Sequence, residues 1–261
     1  YCPLKVNRKI FMQIIDTHVH YGSINTFSMS LEDVCSLMKK KEVDVAVISS
    51  IENAELYDEH FENSSIEANS KLLREIRSFS NLYMQYWIRP KFEEMNEDIA
   101  LFITSNRDKI LGLKIHPFTS SMCINDNKIK PYLEFADKNR LTVSVHTATG
   151  YACECRYLAE ICGYYPGADF IAVHMDLMTD HKEAVQFIND IPNLYGDVSW
   201  ITYNDYKKLG INEEKIVFGS DIPINMDTAY EFYDEYFFHR EKEAKLLYDN
   251  AKRIFLDKRK A

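Results

Sequence analysis

Eight short apolar, β-branched runs recur along the chain, and their recurrence constrains its fold more than any other feature. They cover residues 14–20, 45–50, 82–88, 110–115, 141–146, 169–174, 194–198 and 216–221. Between them lie segments with helical periodicity and helix-start chemistry. Ser30 with Asp33, Ser64 with Glu67 and Asp180 with Glu183 each fit a capping box or its Asp variant. Pro131 suits the first turn of a helix carrying Leu133 and Ala136. A last helix over 241–255 places Ala244, Leu247, Ala251 and Ile254 on one buried stripe. Strands alternating with helices in this way make βα units on a parallel sheet.

Eight such units in 261 residues point to a single-domain α/β chain, a distorted (β/α)8 TIM barrel over residues 14–261. Residues 1–13 read as an N-terminal extension: they carry basic charge but lack the apolar stretch of a signal peptide. A doubly wound sheet is the structural alternative, and it wants a Gly-rich turn after the first strand. Tyr21-Gly22-Ser23 follows instead, and no G-x-G-x-x-G occurs, so the barrel is preferred. The longest connection without a clear helix, 51–63, is acidic and aromatic and is expected beside the active face as a lid.

Charge narrows the function. Lys and Arg number 31 against 40 Asp and Glu, a net charge of -9, whereas binding a nucleic-acid backbone needs a basic face. No run of 18 apolar residues exists to span a membrane. Cys153-Glu154-Cys155 is too tightly spaced for a zinc knuckle, and no second pair matches it. Ordinary reduced thiols and a cytoplasmic protein are expected.

The histidines are unevenly placed. His18, His20, His146 and His174 each end an apolar run, Asp221 ends the eighth, and His116 closely follows the fourth. In a barrel those ends open on one mouth. His18 and His20, two apart on a strand, project from the same side, with Asp16 one pleat deeper to orient a ligand or an adjacent strand. Imidazole and carboxylate without thiolate suit zinc, manganese or iron; zinc, as one or two ions, is expected. An open site of this kind lowers the pKa of bound water toward ~7, and Asp221 can take that water's proton.

Lys114, inside Gly112-Leu113-Lys114-Ile115-His116-Pro117, is costly to bury unpaired. Three readings stand: a carbamylated lysine bridging two metals, an ammonium holding a substrate carboxylate, or a side chain snorkelling to the rim. Arg89, after the third run, is a candidate for binding a substrate carboxylate, and a surface arginine is its plain alternative. His116 is a candidate rim residue. His60, His181 and His239 read as solvated. Trp200 and Tyr203 are candidate pocket aromatics.

Five pieces, in order along the chain, carry a resemblance. They are Ile15-Asp16-Thr17-His18-Val19-His20, the Lys114 segment above, Val145-His146-Thr147, Ala172-Val173-His174-Met175 and Phe218-Gly219-Ser220-Asp221-Ile222-Pro223. With the ending Asp249-Asn250-Ala251-Lys252-Arg253-Ile254-Phe255, the chain resembles the amidohydrolase superfamily, nearest the amidohydrolase-related family that also holds metal-dependent decarboxylases. The resemblance implies that His18 and His20 bind the more buried metal, with Asp221 as ligand and proton shuttle. In binuclear members Lys114 would bridge while His146 and His174 hold a second ion. In mononuclear members His146 would join the first ion, and His174 would contact water or substrate.

The expected activity is metal-dependent hydrolysis of an amide, ester or lactone in a small molecule. Nonoxidative decarboxylation of an unsaturated or aromatic acid on one metal is the alternative, and a non-catalytic metal- or ligand-binding barrel the third reading. The aromatic-rich stretch 230–238 is a candidate homodimer face.

Overall fold

A computed structural model of the chain describes residues 13–55, 63–150, 152–225 and 233–258. Residues 1–12 of the extension, the 56–62 part of the expected lid with His60, and residues 230–232 of the aromatic stretch lie outside the described residues.

β1 (Ile15–Ile24) turns back on the short β2 (Phe27–Met29), and helix and strand then alternate. The order is α1 (Leu31–Lys41), β3 (Val45–Ser50), α2 (Ser65–Ile76), β4 (Leu82–Trp87), α3 (Glu97–Ser105) and β5 (Ile110–Ile115). It continues through α4 (Pro117–Ser120), α5 (Lys130–Lys138), β6 (Thr142–Ala148), α6 (Cys155–Cys162), β7 (Asp169–Leu177) and α7 (Lys182–Asp190). β8 (Leu194–Asp197), the one-turn α8 (Tyr203–Tyr206) and β9 (Ile216–Val217) complete it, followed by a C-terminal helical segment.

The nine strands form one curled sheet in the order β2-β1-β3-β4-β5-β6-β7-β8-β9. Every pairing is parallel except the β1–β2 hairpin. Strand order following chain order has no switch point, so the doubly wound alternative is excluded. Past β9, the chain bonds back to β1: Thr17 N–H donates to Phe218 O at 3.0 Å, His20 N–H to Ile222 O at 2.7 Å, and Asp221 N–H to His18 O at 2.8 Å. Asp16 reinforces this seam by accepting the N–H of Ser220 at 3.1 Å.

Most sequence-derived elements hold, with corrections at α7, at the eighth run and at the last helix, which begins at Ala244 rather than 241 and runs to Lys258. The capping boxes at Ser30 and Ser64 are present, and proline opens α5. At α7, however, the cap is His181 in the left-handed region (φ 61°), with no side-chain cap bond, because Asp180 spends its carboxylate on the backbone and ammonium of Lys182. The eighth run, expected over 216–221, is strand only at Ile216–Val217. The ladder stops at Val217, where Phe218 N–H turns to Leu246 O, and Asp221, with φ 61°, lies outside the extended region.

Two apolar layers result. One lies between strands and helices. A smaller one encloses Ile15, Val47, Leu111, Ile171 and Val217 with Ala251, Ile254 and Phe255 of the C-terminal segment. That segment meets the starts of strands: Thr142 Oγ donates to Ile254 O at 2.5 Å, and Asn250 Nδ2 to Ile216 O at 2.8 Å. Gly112 is needed beside it, since a Cβ there would lie 2.2 Å from the Thr142 carbonyl oxygen. With that end filled, only the carboxyl ends of the strands are left for a site. No helix among the described residues is long and apolar enough to cross a membrane.

Candidate metal centre

A cavity of about 300 Å³ opens at those carboxyl ends. His18 and His20 reach it from β1, Lys114 from β5, His146 from β6 and His174 from β7; His116 follows β5, and Asp221 follows β9. Seven of the eight sequence-derived site residues therefore meet in one place. Arg89 does not line the cavity. It is buried, donates to the carbonyl oxygens of Asn63 at 2.7 Å and Glu52 at 3.3 Å, and borders a separate polar hollow. The structure thus does not bring Arg89 together with the other candidates.

The innermost group is His18, His174 and Asp221, whose ligand atoms lie within 4.8 Å of one another, all buried. His18 Nε2 is 3.2 Å from Asp221 Oδ1, His20 Nε2 is 3.0 Å from the same oxygen, and His174 Nε2 is 4.0 Å from Oδ2. His146 stands further out: its ring stacks on His116 at 3.9 Å and meets His174 edge-on at 4.9 Å.

Asp197, at the end of β8, organises the imidazoles. Its Oδ2 accepts the Nδ1–H of His18 at 3.0 Å. Its Oδ1 accepts the Ser199 hydroxyl at 2.5 Å, leaving the Ser199 oxygen to accept His174 Nδ1–H at 2.7 Å. The same Oδ1 takes the backbone N–H of His174 at 2.9 Å. Since a carboxylate only accepts, both rings are protonated on Nδ1 and turn the bare Nε2 inward. His20 is held the other way round: its Nε2–H donates to Asp221 Oδ1 at 3.0 Å, and its Nδ1 accepts the Ser49 hydroxyl at 3.1 Å. The inward Nε2 lone pairs of His18 and His174, backed by carboxylate and hydroxyl and facing the Asp221 carboxylate, are a donor set that suits a divalent ion.

Electrostatics agree. Burial holds His18, His20 and His174 below the ordinary histidine pKa, His174 at about 4, so the imidazoles are neutral. Burial alone would raise Asp221, but the surrounding His18, His20 and His174 hold it well below the usual carboxylate range. Asp197 is likewise opposed by burial, yet the hydrogen bonds it accepts from His18 and Ser199 bring it to about 2. Lys114 is pushed down to about 8 by burial, against the pull of Asp221 and Asp197, and its Nζ donates to His18 Nε2 at 3.0 Å. Trp200 Nε1–H donates to Asp221 Oδ2 at 2.6 Å.

The backbone is bent to place these groups. His174, Met175 and Asp176 follow one another with φ of 69°, 49° and 66°, and Trp200 has φ 66°. Such conformations cost on the order of 1–3 kcal/mol each and persist where neighbours over-determine them. Here the Asp197 bond to His174 N and the Thr147 hydroxyl accepting Asp176 N–H at 2.9 Å do so.

Sequence reasoning passed over Asp197, Ser199 and Ser49. Asp197 obeys the same signal as the histidines, a ligand-type residue ending an apolar run. Of the rest, His181 bonds Met175 O through Nδ1 at 2.8 Å, His239 stacks on Tyr203 at 4.2 Å, and Tyr203 bonds the buried Glu243 away from the cavity.

Fold and site together define an α/β protein with a buried imidazole–carboxylate centre at the carboxyl ends of a curled parallel sheet. The family model described as Amidohydrolase matches residues 106–256, more than half of the chain, and the chain belongs to this metal-dependent family. No curated protein matches the sequence. Among solved structures, an uncharacterized TIM-barrel protein from Bordetella bronchiseptica is 15% identical with a TM-score of 0.68, over 95% of this chain and 100% of that one. A 2,6-dihydroxybenzoate decarboxylase from Rhizobium is 13% identical with a TM-score of 0.67, over 94% and 99%. A probable 2-pyrone-4,6-dicarboxylic acid hydrolase from Acinetobacter baumannii is 15% identical with a TM-score of 0.62, over 94% and 99%. At such identities they speak for the fold alone.

Proposed function

We propose that the chain folds its residues 14–261 as a distorted (β/α)8 barrel and is a metal-dependent hydrolase of a small-molecule ester, lactone or amide. The observation that carries this reading is the buried trio His18, His174 and Asp221, with donor atoms within 4.8 Å and both imidazoles turned inward by Asp197. One divalent ion, zinc by donor chemistry, would be held by these three with His20 beside them. When bound, it supplies a Lewis acid and acidifies water. Asp221 accepts a proton from the attacking water and returns it to the leaving group, steadied by the Trp200 bond to Oδ2. His174, whose Nδ1–H is committed to Ser199, offers only its Nε2 and serves as a ligand. Lys114 Nζ–H binds the substrate oxygen nearest His18, and His116 and His146 supply the wall on which the substrate lies.

Metal analysis and assay test this together. The purified protein should bind metal, hydrolyse members of an ester, lactone and amide panel, lose turnover on chelation and regain it on reloading. His18→Ala and Asp221→Asn should abolish turnover. A chelator-insensitive activity, or full activity in either variant, overturns the mechanism.

Decarboxylation of an aromatic or unsaturated acid is the second reading. It is favoured by Lys114, the sole lysine or arginine among the described residues lining the cavity, where an ammonium can grip a carboxylate. Carbon dioxide release from aromatic acids, absent from Lys114→Met, would select it over hydrolysis. A carbamylated Lys114 bridging a second ion held by His146 and His174 draws support from an amine pushed down to about 8 and thus available in neutral form. Two metals per chain, with a carbamate signal by carbon NMR after labelled bicarbonate, would select that arrangement.

A further inference from the structure

The imidazoles of the cavity are not all set in the same sense. His18 and His174 give their Nδ1–H to Asp197 and Ser199 and turn a lone pair inward, while His20 spends its Nε2–H on Asp221. His116 is set differently from all three. It stands at the head of α4, and its Nδ1 accepts the backbone N–H of Thr119 at 3.3 Å. A backbone N–H can only donate, so that nitrogen carries a lone pair. The ring is therefore neutral, with its single proton on Nε2.

The place of this ring is over-determined. The His116 carbonyl oxygen accepts the Ser120 N–H at 3.1 Å, the Thr119 hydroxyl at 3.2 Å and the Ser120 hydroxyl at 3.1 Å. Trp87, from β4 on one side, lies 2° from parallel with the ring at 5.7 Å. His146, from β6 on the other side, lies 12° from parallel at 3.9 Å. With both faces flanked and Nδ1 committed, the Nε2 edge is what the ring has left for the cavity it lines. No group among the described residues accepts that N–H. Lys114, two residues earlier on β5, donates to His18 on the floor, so His116 adds an uncharged donor one step nearer the carboxyl end.

We propose that His116 is a substrate-binding and specificity-determining residue, a neutral imidazole whose Nε2–H donates to a carbonyl or ether oxygen of the substrate. The role rests on the reading of the cavity as the substrate site. A substrate group that can only donate, an amine or amide N–H, would meet Nε2–H donor against donor and lose its water partners without replacement. Mismatches of this kind reject close analogues more strongly than an altered apolar contact does. Nor can Nε2 hold a metal ion while Nδ1 keeps its bond to Thr119, so the ring serves substrate and not metal.

Two substitutions separate the donor from the ring. His116→Asn keeps an acceptor that can cap the Thr119 N–H but does not reach the Nε2 position. His116→Gln carries an amide nitrogen about as far out as Nε2. Both lose the stacked ring, so the difference between them reads the donor alone. The probe is cyclohexanone, a carbonyl relative of a cyclic ester that cannot be hydrolysed, titrated calorimetrically into the full-length, metal-loaded protein. His116→Asn should weaken its binding at least about fivefold, whereas His116→Gln should stay within about twofold of the unaltered protein. Long-range nitrogen–proton NMR with isotope-labelled histidine should show His116 as the Nε2–H tautomer, assigned by the signal lost in His116→Asn. An Nδ1-protonated His116, a Gln variant as weak as the Asn variant, an Asn variant as strong as the unaltered protein, or no cyclohexanone binding at tens of millimolar overturns the proposal. If the hydrolase reading alone fails, no chelator-sensitive turnover is seen while the tautomer and the order of the two variants are retained.

Discussion

Asp197 accepts the Nδ1–H of His18 at 3.0 Å, and with its other oxygen governs His174 through Ser199. One carboxylate therefore sets the tautomer of two imidazoles whose Nε2 atoms face Asp221. Asp197→Asn offers an amide of nearly the same shape that can present N–H instead of a lone pair to His18. With the amide N–H toward His18 Nδ1, the ring carries its proton on the inward Nε2. Metal affinity is expected to fall about 10–100-fold, the usual cost of losing such a supporting partner, measured by competition against a chromophoric chelator. Unchanged affinity would show that Asp197 does not govern the centre.

The buried histidines make the metal-free protein sensitive to acid. Burial lowers His18, His20, His116, His146 and His174 below the ordinary 6.5. Below pH 6.5 the unfolded chain takes up protons that the folded one refuses, so stability is full above that pH and is lost as pH falls. For His174, whose pKa moves from 6.5 to about 4, the loss approaches about 3 kcal/mol over that window. Asp16 opposes the trend by a similar single-site amount, since burial raises it to about 6, and Glu55 at about 7 and Asp176 at about 6 act in the same sense, so the net fall rests on the five histidines together. Denaturant titrations of chelated protein should show stability falling from pH 7 to pH 5, and a shallower fall in His174→Asn. A flat profile contradicts neutral burial of these rings.

Trp200 is placed to tune Asp221. It is 37% exposed, lines the cavity and donates its indole N–H to Oδ2 at 2.6 Å. Trp200→Phe keeps most of the ring and removes the donor. A hydrogen bond to a charged group contributes about 1.5–3 kcal/mol, so kcat should fall at least about tenfold. Losing a donor to the carboxylate raises its pKa, so the acid limb of the pH–rate profile should move to higher pH. Thermal stability should change little. An unmoved acid limb would mean that this bond does not tune the acid.

Much of this architecture was legible because it follows from periodicity. The runs 45–50 and 110–115 coincide with β3 and β5, and the histidines ending other runs reach the cavity because parallel strands share a carboxyl end. Local chemistry located Ser30 and Ser64 as caps, while Asp180 was misassigned because Lys182 competes for its carboxylate. Arg89 was harder for a physical reason. Its neighbour Trp87 still points into the cavity at the end of β4, but two residues later the chain has left the strand, and strand alternation no longer says where a side chain points. Asp197 was overlooked because its partners, His18 and His174, are 179 and 23 residues away, and only the curled sheet brings all three together.

Gly219 joins the fold to the centre most directly. It lies in the segment after β9 that bonds back to β1, and a Cβ at this position would stand 2.7 Å from His18 Cβ and 2.9 Å from Asp197 Oδ2. Neither neighbour can yield cheaply, since His18 is fixed on β1 and Asp197 holds both His18 and the backbone of His174. Gly219→Ala must therefore widen the β1–β9 seam or push Asp197 off His18. Overpacking of this kind costs about 1–3 kcal/mol, which leaves a folded protein with displaced ligands. The expected variant retains its far-ultraviolet circular dichroism, melts at lower temperature and loses metal affinity by at least about tenfold. Normal metal binding in a folded Gly219→Ala would show that the contact between the returning segment and His18 does not set the geometry of the site.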